Sequence, residues 1–261
     1  MIPFEKCEGI GNDFVLVRGN EVEHLDLSAF SKSVCNRHTG VGADGLLVVD
    51  DPRSPSLQMF NPDGSESGMC GNGLRCAAIW YHERGAGDEF NILMSGNQYP
   101  TRVHHHQANI LFPMPVAETQ DCSLTDQSFS LGSNEFYGST AWVGNPHLVI
   151  FVDELHDQHL AFGPELEVHS MFPHRTNVHF ARIDSPTEAT MLTWERGAGA
   201  TLACGSGACA VAFVGWQLGR LDPTVSIRLP GGTLHIRKIS DQQLEMAGPA
   251  RFVFTGEFSA T

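Results

Sequence analysis

Lysine is scarce in this chain: among 261 residues it occurs only at Lys6, Lys32 and Lys238, none of them in a glycine-rich or repeated motif. A pyridoxal phosphate enzyme needs a lysine for its Schiff base, so the shortage points away from that cofactor. Basic residues are few in general. The 16 Lys and Arg are outnumbered by 30 Asp and Glu, for a formal net charge of −14. Such a surface repels the phosphates of nucleic acids and anionic membranes. No apolar run approaches the length of a membrane span, and the opening Met-Ile-Pro-Phe-Glu-Lys lacks the basic-then-apolar pattern of a signal peptide. Cys-x-x-Cys pairs are missing as well. The seven cysteines stand at scattered spacings that make neither a disulfide framework nor a zinc site. Together these absences predict a cytoplasmic protein that binds no metal, nucleic acid or membrane.

What is present is a repetition. Met69-Cys70-Gly71-Asn72-Gly73 and Ala203-Cys204-Gly205-Ser206-Gly207 each place a cysteine before a glycine-rich turn, and the two cysteines lie 134 positions apart. The same offset, to within one residue, relates Gly11-Asn12 to Gly144-Asn145, the run 42–50 to the run 176–184, and Asn61 to Glu195. Four blocks at one offset predict two homologous domains, 1–115 carrying Cys70 and 116–261 carrying Cys204, with the C-terminal strand able to pack back on the first half. This period is too long for a solenoid. Leu46–Val49, His147–Val152, Val178–Ile183 and Phe252–Phe258 are short apolar runs that read as strands. Leu74–Tyr81 and Ala208–Leu218 read as helices, with Gly85 and Gly219 where C-terminal caps belong. The pattern predicts an α+β fold. Each half is a mostly antiparallel, barrel-like sheet around one central helix, and a pseudo-twofold axis relates the halves.

A cysteine just before a helix sits beside free N–H groups and the positive end of the helix dipole, which lowers a thiol pKa. Glycines at that turn let backbone N–H groups approach an anion closely. Two such thiols across a pseudo-twofold axis have the arrangement needed to take a proton from one face of a carbon and return one to the other. A carboxylate next to that carbon would be held by the N–H groups of both turns, which stabilise the charge that develops on deprotonation. A lone cysteine before glycine is more often a small buried residue than a catalyst. The matched pair reverses that weighting for Cys70 and Cys204, while Cys7, Cys35, Cys76, Cys122 and Cys209 read as packing residues.

Six blocks then carry a resemblance over nearly the whole chain: Gly9-Ile10-Gly11-Asn12-Asp13-Phe14, Asn61-Pro62-Asp63-Gly64-Ser65, the Cys70 motif, Gly144-Asn145-Pro146-His147, Arg175-Thr176-Asn177-Val178, and Glu195-Arg196-Gly197-Ala198-Gly199 followed by the Cys204 motif. In this order they resemble the diaminopimelate epimerase family. The resemblance implies a cofactor-independent isomerase that interconverts LL- and meso-2,6-diaminopimelate for lysine and peptidoglycan synthesis, a cytoplasmic homodimer with a small-molecule substrate. Cys70 and Cys204 then inherit the acid–base roles, and His147 and Glu195 are positions that tune the thiols. The reacting carboxylate falls to Gly71, Asn72, Gly205 and Ser206, with Asn12 nearby. Asn61, Asn145, Asn177, Glu195 and Arg196 match positions that hold the distal end of the substrate. The residue types agree with this assignment, since an arginine pairs with a carboxylate and a glutamate with an ammonium.

The chain departs from the family pattern at two places. Ala200 stands where glutamate is common, and Gly45 where some members have glutamine. His104-His105-His106 resembles a metal tract, but three consecutive side chains do not converge readily on one ion, so it reads as a solvated loop. A proline-type racemase is disfavoured by Asn72, where that type has histidine. A non-catalytic binding module is disfavoured by the retention of both thiols, and a thiol–disulfide redox protein by the missing Cys-x-x-Cys.

Overall fold

The structure, a computed structural model, describes residues 1–259. The chain forms two compact units: Phe112–Met246 is one, and Met1–Leu111 with the stretch from Ala247 onward is the other.

In the first unit, β1 (Ile2–Gly9) and β2 (Asn12–Arg18) make an antiparallel hairpin whose tip, Ile10 and Gly11, has φ of 51° and 87°. A single helical turn, α1 (Gly19–Val22), leads to α2 (Leu27–Val34). The Asp26 side chain caps α2 by accepting from the N–H groups of Ser28 and Ala29. Next come β3 (Gly45–Val49), parallel to β2, and β4 (Leu57–Phe60), antiparallel to β3. The helix α3 (Gly71–Tyr81) follows, ending in a π-helical turn over His82–Ala86 that holds Gly85 at φ 91°. Every residue of α3 is buried, the polar Asn72 and Arg75 included. The meander β5 (Glu89–Met94), β6 (Asn97–His104) and β7 (Gln107–Pro113) comes after it.

The second unit runs through a similar order. A hairpin, β8 (Gln127–Leu131) and β9 (Asn134–Trp142), comes first. Then β10 (Pro146–Phe151) pairs antiparallel with β9, α4 (Gln158–Glu167) intervenes, and β11 (Asn177–Ser185) lies parallel to β10. Antiparallel to β11 is β12 (Glu188–Glu195), with the short β13 (Gly199–Thr201) on it. The helix α5 (Gly205–Gln217) follows, then β14 (Thr224–Leu229), β15 (Gly232–Lys238) and β16 (Gln243–Pro249). Gly219, at φ 65°, closes α5: its N–H bonds Trp216 O, and Arg220 N–H reaches back to Gly215 O. That is the paired bonding of a glycine C-cap. The chain passes back into the first unit within β16, at Ala247, and ends in β17 (Arg251–Phe258), antiparallel to β1.

Each unit therefore repeats an antiparallel pair, a helix, a parallel strand, an antiparallel strand, a buried helix and a meander. This is the two-domain, sheet-dominated fold the sequence predicts. The predicted strands fall within β3, β10, β11 and β17, apart from Val152, one residue past β10. The predicted central helices begin three residues earlier than expected, at Gly71 and Gly205, because the glycine motifs are themselves the first helical turn. The one central helix predicted for each half is α3 or α5, and α1, α2 and α4 are additional helices that the sequence reading does not place. His104–His106 form the exposed β6–β7 turn, with His105 at φ 53°, and no group able to hold a metal ion occurs among the described residues.

Candidate active site

Both motif cysteines are helix N-cap residues with nearly the same backbone. Cys70 has φ −145° and ψ 103°, and Cys204 has φ −134° and ψ 102°. In this extended conformation the side chain folds back over the first helical turn, where N–H groups lack intrahelical partners. The Cys70 Sγ accepts from Gly73 N–H at 3.3 Å. Space at position 73 is tight. A Cβ there would lie 2.9 Å from Leu47 Cδ2 and 3.4 Å from the Cys70 sulfur.

The surroundings of the two thiols differ. In the first unit Cys70 is half-buried, and the turn after it is tied to an ion cluster. Asn72 Nδ2 donates to Asn12 Oδ1 at 2.9 Å, and Asn12 Nδ2 donates to Asp44 Oδ2 at 2.7 Å. The Arg37 guanidinium reaches Asp13 and Asp44, each at 2.6 Å. Lys6, itself buried, pairs with Asp13 at 2.5 Å and donates to the Gly42 carbonyl. Burial pushes the Asp13 carboxyl up, but bonds from Arg37 and Lys6 outweigh it and hold the group down at about 2. A carboxylate can only accept, so Asp44 turns the Asn12 amide nitrogen toward itself and leaves Asn12 Oδ1 for Asn72. Asn61, half-buried, heads the turn after β4: its N–H bonds Ser65 O, and its Nδ2 donates to Ser65 Oγ at 2.9 Å.

In the second unit Cys204 is buried, with Ser206 Oγ 3.7 Å from its sulfur. Its thiol is not lowered as its helix position predicts. Burial pushes it well above the ordinary value, and the adjacent Glu195 carboxylate pushes further, against a weaker pull from Ser206 and the Gly207 N–H. Desolvation and a like charge thus win over the helix terminus. Thr201 Oγ1 donates to Glu195 Oε1 at 2.5 Å and fixes that carboxylate.

The remaining residues of this half form two groups. Asn177 clamps three strand ends, its Nδ2 donating to Pro146 O at 2.8 Å and its Oδ1 accepting from Arg196 N–H at 3.0 Å. The Arg196 side chain is exposed, with one nitrogen 3.4 Å from His174 O. His147 is fully buried. Its Nε2 lies 2.7 Å from Asn145 Oδ1 and its Nδ1 lies 2.8 Å from His179 Nε2.

Two residues here escape motif reading. His179 is a buried histidine within the apolar run Val178–Ala181 of β11, a placement that could have drawn notice in the sequence. Glu167, at the end of α4, accepts from Trp194 Nε1 at 2.8 Å and from Gly197 N–H at 3.0 Å. It anchors the loop carrying Glu195 and Arg196, and no sequence motif marks it. Of the departures, Ala200 is exposed on β13, so no buried hole replaces the missing carboxylate. Gly45 is enclosed: a Cβ would lie 2.9 Å from the Met59 methyl and 3.1 Å from Phe60 O, which leaves no room for glutamine.

Comparison with known proteins shows the family. The family model described as diaminopimelate epimerase matches residues 4–119 and 139–253. Curated diaminopimelate epimerases from Carboxydothermus hydrogenoformans and Moorella thermoacetica are 37% and 39% identical, over 98% of this chain and 98% of theirs. Among solved structures, a probable proline racemase from Agrobacterium radiobacter aligns with a TM-score of 0.73 at 9% identity, covering 100% of this chain and 94% of that one. A phenazine biosynthesis protein of the PhzF family from Bacillus anthracis aligns at 0.71 and 15% identity, covering 99% of each chain. At such identities the structural likeness concerns the fold alone, whereas the sequence matches run end to end. The chain belongs to the diaminopimelate epimerase family.

Proposed function

We propose that this chain epimerises 2,6-diaminopimelate between its LL and meso forms without a cofactor, using Cys70 and Cys204 as the acid–base pair, and so serves lysine and peptidoglycan synthesis. The observation that carries the reading is the pair of matched N-cap cysteines at the heads of two buried helices, in a chain of this family. The α-proton next to a carboxylate is very weakly acidic. A thiolate removes it while N–H groups of Gly71, Asn72, Gly205 and Ser206 bind the carboxylate, on which negative charge grows. The second thiol returns a proton to the opposite face. Which thiol is the base and which the donor depends on the direction of the reaction, and one turnover exchanges the roles.

Arg196, exposed and at a strand end, suits the distal carboxylate, and Asn61 and Asn145 suit amide contacts to the substrate. Asn12 and Asn177 act mainly by orienting neighbours, because most of their amide groups are already bonded within the protein. Glu195 acts on Cys204. Both ring nitrogens of His147 are engaged and the ring is held neutral by burial, so it positions Asn145 rather than carrying a proton. The reading includes a cytoplasmic homodimer with neither nucleic acid nor membrane as partner. No helix among the described residues is long and apolar enough to cross a membrane.

Incubation in deuterated water with LL-diaminopimelate, proline and histidine separately tests the substrate. Deuterium is expected at the α-carbon of diaminopimelate alone. Exchange into proline or histidine instead would move the chain to another racemase activity.

A further inference from the structure

Behind the Cys204 turn lies a ladder of four polar side chains, Thr193, His179, His147 and Asn145, of which the epimerase reading gives no role to Thr193 and His179. Thr193 Oγ1 is 2.8 Å from His179 Nδ1, His179 Nε2 is 2.8 Å from His147 Nδ1, and His147 Nε2 is 2.7 Å from Asn145 Oδ1. Thr193, His179 and His147 are buried, and Asn145 at the end is half-buried. The two imidazoles are stacked, with ring centroids 5.0 Å apart.

Proton counting gives this ladder one direction. The Asn145 carbonyl oxygen only accepts, so His147 Nε2 carries hydrogen. Burial, aided by the neighbouring His179 and Arg196 charges, lowers the His147 pKa, and burial alone brings His179 to about 3, so each ring holds a single proton. His147 Nδ1 is then bare and accepts from His179 Nε2–H. His179 Nδ1 is bare in turn and accepts the Thr193 hydroxyl proton. Reversing the ladder requires all three protons to move and the Asn145 amide to rotate.

We infer that His179 is a positioning residue: through His147 it fixes the Asn145 amide so that its Nδ2 hydrogens, not its oxygen, are offered to the ligand, making this position a reader of carboxylate rather than ammonium. The same ring also braces the thiol motif, because a Cβ on Gly207 would lie 2.4 Å from His179 Cε1. His179 thus supports the contact residue Asn145 on one side and the first turn after Cys204 on the other.

The inference rests on Asn145 being a substrate contact, as proposed above, but its decisive test needs no substrate. Long-range ¹H–¹⁵N spectra of the ligand-free protein, with His147 and His179 assigned through His147→Gln and His179→Gln, report which ring nitrogen is protonated. Both rings are expected to carry hydrogen on Nε2 and to stay neutral from pH 6 to 9. A proton on Nδ1 of either ring, or titration of either in that range, overturns the inference. With diaminopimelate, His179→Gln, which can still donate to His147, is expected to keep KM within about three-fold. His179→Leu removes the donor and should raise KM about ten-fold, the scale of one lost hydrogen bond, with kcat changed less. Equal losses in both variants would overturn it too. If diaminopimelate is not a substrate and both rings are nonetheless Nε2–H, the epimerase reading falls and the ladder stands.

Discussion

Cys70 and Cys204 cap their helices with backbone angles that agree within 11° in φ and 1° in ψ, yet the two turns are supported by opposite chemistries. Behind Cys70 stand formal charges: Lys6, Asp13, Arg37 and Asp44 lead through Asn12 to Asn72. Behind Cys204 stand neutral imidazoles and a hydroxyl. Exposure accounts for the difference. The Asp13–Arg37–Asp44 cluster is partly in water, where ionised groups stay solvated, while His147 and His179 are sealed in and an unpaired charge there would be costly. The Glu195 carboxylate near the buried thiol raises Cys204 rather than lowering it. Duplication kept the backbone that performs the shared task and let each half solve its own solvation problem.

The largest expected effect tests whether both thiols are needed. Cys70→Ser and Cys204→Ser should each lower epimerisation by about 10²–10⁴-fold while circular dichroism shows a folded protein; near wild-type turnover by either would end the two-thiol reading. Next, Gly207→Ala should hurt more than Gly73→Ala. The alanine methyl meets the rigid His179 ring at 2.4 Å in one case and the mobile end of Leu47 at 2.9 Å in the other. Overpacking of this kind costs about 1–3 kcal/mol, and denaturant midpoints would rank the two.

Glu195→Gln sharpens the electrostatic contrast. Removing the carboxylate should let the Cys204 thiol fall toward its ordinary value without reaching it, because burial, the larger cause, remains. Alkylation rate against pH would show the curve moving to lower pH, and an unmoved curve would separate Glu195 from the thiol. The smallest effect concerns Asp13. Its folded-state value of about 2 lies below the ordinary 3.8, so its contribution is present above pH 4 and lost as pH falls through 2. Allowing for partial solvent screening, it amounts to about 1–2 kcal/mol. Asp13→Asn should flatten the stability profile in that window, as acid titration of unfolding would reveal.

Much of this comparison is legible in the sequence. Matched punctuation at one offset marks the duplication, because a cysteine followed by two glycines with one residue between them survives only where a backbone turn needs it. What escapes is what depends on burial. His147 is marked by its motif, but its stacking on His179 in a dry interior is not. Glu167 belongs to no motif because its partners, Trp194 and Gly197, come from a distant hairpin. The shift of Cys204 is hidden for the same reason: helix position is visible in a sequence, and loss of solvent is not.

The pairing of β1 with β17 sets the schedule on which the protein can be made. Ile2 lies opposite Phe258, so β1 leaves the ribosome well before the strand that covers its outer edge is synthesised. The unit Phe112–Met246, contiguous in sequence, has no such wait and can collapse during translation. Until then β1 is an open edge, bearing the unpaired N–H and C=O groups that invite association with other chains. Long-range closure of this kind is slow. Yield during rapid expression should therefore depend on how long β1 stays uncovered, more than on the stability of the finished fold.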